Sequence, residues 1–102
     1  MKGKLLKIIN HYGVNAQQRQ LAEEVFELQE AIIEYENSGC YDEEDSVEFV
    51  NHIAEEITDV MCLLFQFSEY YNIDANDISK TLAYKIKRQL ERIQNEVKEW
   101  LN

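Results

Sequence analysis

A chain of 102 residues has room for one core and is read as a single domain spanning 1–102, and no run approaches the ~20 apolar residues that span a bilayer. A net charge of −10 excludes a general nucleic-acid binder, which needs a basic footprint on the phosphates. The start, Met1 to Lys7, is basic but carries neither an apolar run nor a small-residue cleavage site, so no secretory signal is read there and a cytoplasmic protein is expected.

Proline is absent and glycine occurs only at 3, 13 and 39, so the chain reads as all-α. A short first helix is expected from Lys4 to Tyr12, stopped by Gly13. Asn15 is the expected N-cap of a second helix that reaches Asn37 and stops at Ser38-Gly39. Asp42 or Asp45 would cap a third helix running to Tyr71. Asp74 or Asn76 would cap a fourth, running to Trp100. Three long helices and a short N-terminal one, joined by short loops, predict an antiparallel helical bundle. Cys40 and Cys62 match no zinc spacing and are expected to be reduced thiols, Cys62 as a small core residue.

One motif is written twice. Ala22-Glu23-Glu24-Val25-Phe26-Glu27-Leu28 returns 32 residues later as Ala54-Glu55-Glu56-Ile57-Thr58-Asp59-Val60. On a helix Glu24 and Glu27 are three apart and share a face, and so do Glu56 and Asp59. Two such pairs on packed helices would aim four carboxylates at one point. Two carboxylates ~5 Å apart repel by roughly 3 kcal/mol at an effective dielectric near 20. A hard divalent cation with oxygen ligands is the simplest offset.

Turning by about 100° per residue sets the faces. On the second helix Leu21, Val25, Leu28, Ile32 and Tyr35 form the expected core stripe. Glu24 lies beside it, with Gln17, Gln20, Glu27 and Ala31 on the same flank. On the third helix Phe49, Ile53, Val60, Leu63 and Phe67 define the apolar face. Glu56 falls in its middle, with His52 and Asp59 on one edge. A charged carboxylate there is costly unless it is paired or bound to metal. The structural alternative is a buried salt bridge to Arg19, Lys85 or Arg88; the duplication of the pattern weighs against it. Glu23 and Glu55 fall further round and are read as extra ligands, as a base holding a water, or as solvated surface acids, and His52 is either a polar neighbour of the core or a participant.

Charge is segregated as well. Residues 8 to 79 hold seventeen acids and one base, Arg19, whereas six of the ten bases fall between 80 and 98. On the fourth helix Lys85, Arg88 and Arg92 flank the stripe Ile78, Leu82, Ile86, Leu90, Ile93 and Val97. They would either pair with acids or hold phosphate oxygens. The third helix is apolar on nearly all sides from Val60 to Phe67, with Met61, Cys62 and Phe65 opposite Glu56. That predicts burial against a second copy of the chain, as a homodimer or homotetramer.

Glu24-x-x-Glu27 followed by Glu56-x-x-Asp59, on consecutive helices of a short all-α chain, resembles the MazG-like, all-α nucleoside triphosphate pyrophosphohydrolase superfamily. That superfamily also takes in all-α dUTPases, dCTP pyrophosphatases and phosphoribosyl-ATP pyrophosphatases. The lead-in Gln20-Leu21-Ala22, the pair Ile73-Asp74 and Lys85-x-x-Arg88 extend the resemblance over residues 15 to 92. It implies Mg²⁺ (or Mn²⁺) held by Glu24, Glu27, Glu56 and Asp59, and hydrolysis of a nucleoside triphosphate to monophosphate and pyrophosphate. It further implies phosphate contacts from Lys85 and Arg88, with Gln17 and Gln20 as candidates for the base or sugar. The long acidic segment from Glu34 to Val50 departs from the pattern and leaves the preferred base open. Two other readings compete. A di-iron carboxylate bundle would bring Glu-x-x-His twice, and the chain has none. A non-catalytic acidic interaction protein, or a degenerate homologue, would spread its acids over exposed faces.

Overall fold

The computed structural model describes residues 2–101, with only the backbone of Lys2. Those residues form four α-helices and no strand, in the expected order: α1 (Lys2–Tyr12), α2 (Val14–Ser38), α3 (Glu43–Tyr70) and α4 (Ala75–Leu101). The backbone divides after Tyr71 into two compact units, α1 to α3 and α4.

Glycine and asparagine punctuate the helices where the chain must leave the right-handed region. Gly13 has φ 91° and joins α1 to α2 with no linker: its N–H closes α1 on the Ile9 carbonyl at 2.8 Å, and its own carbonyl accepts from Gln17 N–H at 3.1 Å. α2 therefore begins at Val14, and Asn15 lies inside its first turn rather than capping it. Gly39, at φ 74°, ends α2 in the left-handed conformation, and Asn72, at φ 54°, follows the end of α3. Asp42 stands at the N-cap of α3, though its side chain makes no capping bond.

Within the first unit α2 and α3 pack along each other, and α1 lies mainly on α3. The side chains that meet show the direction of packing. The rings of Tyr35 and Phe49 are 5.8 Å apart, Glu24 lies by Glu56, and Gln17 bonds Gln66. Positions fall along α2 as they rise along α3, so the pair is an antiparallel hairpin.

Its inner stripes follow alternating steps of three and four residues. On α2 the less exposed positions are Gln17, Leu21, Glu24, Leu28, Ala31 and Tyr35; on α3 they are Ser46, Phe49, Ile53, Glu56, Val60, Leu63 and Phe67. The α3 stripe is as expected. On α2 the buried face is turned towards Ala31 and Glu24, leaving Val25 and Ile32 exposed. A small residue there lets the two backbones approach, and Glu24 moves from the flank into the seam. Ile9, from α1, is fully buried. Cys62 is exposed rather than in the core, its sulfur 3.5 Å from Gln66 Nε2.

α4 is capped by Asp74, whose Oδ1 accepts the Asn76 N–H at 2.7 Å. Along it Ile78, Leu82, Ile86, Leu90, Ile93 and Val97 form one apolar stripe, all of them exposed.

Candidate metal centre

Glu24 and Glu56 are brought together because each occupies an inner position of its helix. Glu24 sits between Leu21 and Leu28 in the α2 seam, and Glu56 between Ile53 and Val60 in that of α3. Glu27, one turn beyond Glu24, joins them from the edge. One carboxylate oxygen from each of the three lies within 4.8 Å of the others. The Glu56 side chain is only 12% exposed, Glu24 is half-buried and Glu27 is exposed.

Each inner carboxylate has one oxygen engaged and one left over. Gln20 Nε2 donates to Glu24 Oε1 at 2.8 Å. His52 Nε2 lies 3.3 Å from Glu56 Oε1. Glu24 Oε2 and Glu56 Oε2 are buried, and neither has a hydrogen-bond partner among the described residues. Buried acceptors without donors are destabilising, by about 1–3 kcal/mol for an uncharged group and more for a charged one. The cluster also acts on Glu27. Its carboxyl is held above the ordinary value of 4.5, first by the charge of Glu24, then by loss of surrounding water and the charge of Glu56.

This donor set suits a hard cation. It offers only oxygens, carries three formal negative charges, and presents two buried oxygens that no protein group satisfies; Mg²⁺ and Mn²⁺ take such ligands. The salt-bridge alternative is not met within the first unit. Arg19 is exposed, and no lysine or arginine of that unit pairs with the three glutamates among the described residues.

The other expected residues fall in three places. Asp59 is exposed and lies outside the group of three; with Ala54, Glu55 and Thr58 it lines a shallow pocket on α3. The antiparallel arrangement sends Glu27 and Asp59 one turn away from the Glu24–Glu56 layer in opposite directions, and Asp59 falls on the outer side of α3 with Glu55 and Thr58. Gln17 is buried and donates through Nε2 to Gln66 Oε1 at 2.8 Å, so its amide is used between α2 and α3. Gln20 is exposed and bonded to Glu24. On α4, Lys85 and Arg88 line one shallow pocket with Gln89 and Arg92.

Gln66 is the residue that the sequence reading passed over. Its signal was present, a lone amide inside Leu64-Phe65-Gln66-Phe67, where a polar group needs a partner.

The family model of the MazG nucleotide pyrophosphohydrolase domain matches residues 13–99. The match runs from the glycine that opens α2 to the last turn of α4, and includes every candidate residue above. No curated protein and no solved structure matches the chain.

Proposed function

Because this chain belongs to the family of MazG nucleotide pyrophosphohydrolase domains, we propose that it hydrolyses a nucleoside triphosphate, ribo or deoxy, to the monophosphate and pyrophosphate with Mg²⁺ or Mn²⁺. The observation that carries this reading is the pair of buried, unpartnered oxygens, Glu24 Oε2 and Glu56 Oε2, inside a cluster of three carboxylates. An apolar seam would be cheaper to fold than this one. The arrangement makes sense when a cation occupies it.

Glu24, Glu27 and Glu56 would hold the ion, and Asp59 would be the fourth ligand. When bound, such an ion neutralises phosphate charge and lowers the pKa of coordinated water. The chain's own contribution is positioning and electrostatics, which is most of what phosphoryl transfer requires. In the reaction water cleaves the α–β phosphate linkage: its oxygen adds to one of the two phosphorus atoms, the bridging oxygen leaves with the other, and a proton is released, giving monophosphate and pyrophosphate. Lys85 and Arg88 would donate to the phosphate oxygens; a guanidinium suits them bidentately and an ammonium as a point charge.

The assembly belongs to the same proposal. Met61, Leu64 and Phe65 are exposed on α3, and they would be buried against a second copy in a homodimer or a homotetramer. Among the described residues no helix is long and apolar enough to cross a membrane. A non-catalytic acidic interaction protein would display its acids on open faces, and the burial of Glu56 counts against that alternative.

The test is a panel of canonical and modified nucleoside triphosphates incubated with Mg²⁺ and scored for monophosphate and pyrophosphate. At least one substrate should yield equimolar amounts of both, and a chelator should stop the reaction. Failure to cleave any member, or release of orthophosphate in place of pyrophosphate, would refute the assignment.

A further inference from the structure

We propose that Gln20 and His52 are a matched pair of positioning residues, each holding one oxygen of a metal-binding glutamate so that the other is aimed at the cation. The proposal rests on the metal-site reading above.

The echo between the helices begins a turn before the acids. Gln20-Leu21-Ala22-Glu23-Glu24 stands against His52-Ile53-Ala54-Glu55-Glu56: a side chain ending in nitrogen, an aliphatic residue, alanine and two glutamates, again 32 residues apart. The placement repeats with it. Gln20 Nε2 donates a hydrogen bond to Glu24 Oε1 at 2.8 Å, four residues on along α2. His52 Nε2 lies 3.3 Å from Glu56 Oε1, four residues on along α3, at ion-pair distance rather than in a hydrogen bond. In both copies it is the other oxygen, Oε2, that is buried and without a partner. Two glutamates thus share one construction, with an occupied outer oxygen and a free inner one.

The chemistry explains the residue types. Glutamine and imidazole each set a side-chain nitrogen against one oxygen of the glutamate four residues on, which restricts rotation of that carboxylate. Partners of this kind set ligand orientation, and their loss weakens metal affinity by about 10- to 100-fold. The consequence for Gln20 is specific: its amide serves Glu24 rather than the base of a nucleotide.

Both residues are exposed, so truncation removes the nitrogen without opening the core. The probe is Mn²⁺ alone, with free ion followed by electron paramagnetic resonance and the chelator-treated protein followed by thermal melting. Gln20→Ala and His52→Ala should each weaken Mn²⁺ binding by about tenfold or more, with melting in chelator unchanged. His52→Gln, which places in the second copy the donor found in the first, should recover most of the affinity, and Gln20→His should do the same in the first. Wild-type affinity in both alanine variants, or His52→Gln binding no better than His52→Ala, would overturn the pairing while leaving the metal site standing. Absence of Mn²⁺ binding by the wild-type protein would remove the metal site itself, and the positioning role with it.

Discussion

Glu24 and Glu56 face each other across the α2–α3 hairpin, each with one carboxylate oxygen buried and unpaired. Neither is at the rim of the helix pair. Both take seam positions that their neighbours, Leu21 and Leu28 on one helix and Ile53 and Val60 on the other, fill with aliphatic carbon. The hairpin therefore carries like charges where packing would prefer none, and its metal-free state is expected to be strained by them.

Replacing Glu56 with glutamine separates the two roles of that residue. The side chain keeps its size and loses its charge. Mg²⁺-dependent pyrophosphate release should fall by more than about 100-fold, beyond the range for an outer partner of a ligand. In chelator the same variant should be more stable than wild type by on the order of 1 kcal/mol, because the repulsion from Glu24 is gone. Turnover at the wild-type rate in Glu56→Gln would remove the argument for the site.

The raised carboxyl of Glu27 gives a pH dependence with a definite sign. In the folded, metal-free chain Glu27 binds its proton more tightly than in the unfolded chain, chiefly because Glu24 is charged beside it. Between the ordinary value of 4.5 and the higher folded value, the folded state carries more proton than the unfolded one. Stability from this group is thus lost as pH rises through that window, the reverse of a salt-bridged carboxylate. Melting of chelator-treated protein should fall across the window, and Glu27→Gln should flatten that fall. Saturating Mg²⁺ should also cancel it; a hundredfold excess over Kd adds about 2.7 kcal/mol to the folded state. Identical pH profiles for Glu27→Gln and wild type in chelator would contradict the coupling.

Gln17 and Gln66 show the asymmetry of a buried hydrogen bond. Gln17→Ala leaves the Gln66 carbonyl oxygen without its donor, and should cost about 1–3 kcal/mol. Changing both residues to leucine removes the need for a partner and should restore most of that loss. Denaturant titrations of the two variants make the comparison. A double variant less stable than Gln17→Ala would show that the amides do more than satisfy each other.

Much of this was legible in the chain. The three-and-four spacing of Phe49, Ile53, Val60, Leu63 and Phe67 puts Glu56 in mid-stripe, and the echoed acids point to Glu24 and Glu27. Asp74 was readable as a cap from its place before a long amphipathic run. The orientation of α2 was less so, because its apolar stripe is broad: Leu21, Val25, Leu28, Ile32 and Tyr35 were read as one face, and of these Val25 and Ile32 lie on the side left exposed. Packing chose the face with Ala31, which is buried. The same choice buried Gln17, which from sequence looked free to meet a substrate. The place of Asp59 was equally hidden, since a residue at the edge of a stripe can fall on either the inner or the outer side of the packed helix. The start of α2 was misplaced for a backbone reason, the conformation of Gly13 making a cap at Asn15 unnecessary.

The exposed apolar side of α3 yields the last prediction. Phe65 is 46% exposed, with Met61 and Leu64 exposed beside it, on a helix whose opposite face is already spent on α1 and α2. Such a patch on an acidic chain is either an interface or a liability, and the chain's net charge of −10 does nothing to shield it locally. If a second copy covers it, a glutamate at position 65 would bury a carboxylate at the seam without a partner, at a cost of several kcal/mol. Phe65→Glu should therefore shift wild-type dimers or tetramers to monomers in light scattering, while circular dichroism retains the helices. Phe65→Leu, which keeps the surface apolar, should keep the assembly. A wild-type protein already monomeric at micromolar concentration, or an unchanged assembly in Phe65→Glu, would place the contact elsewhere.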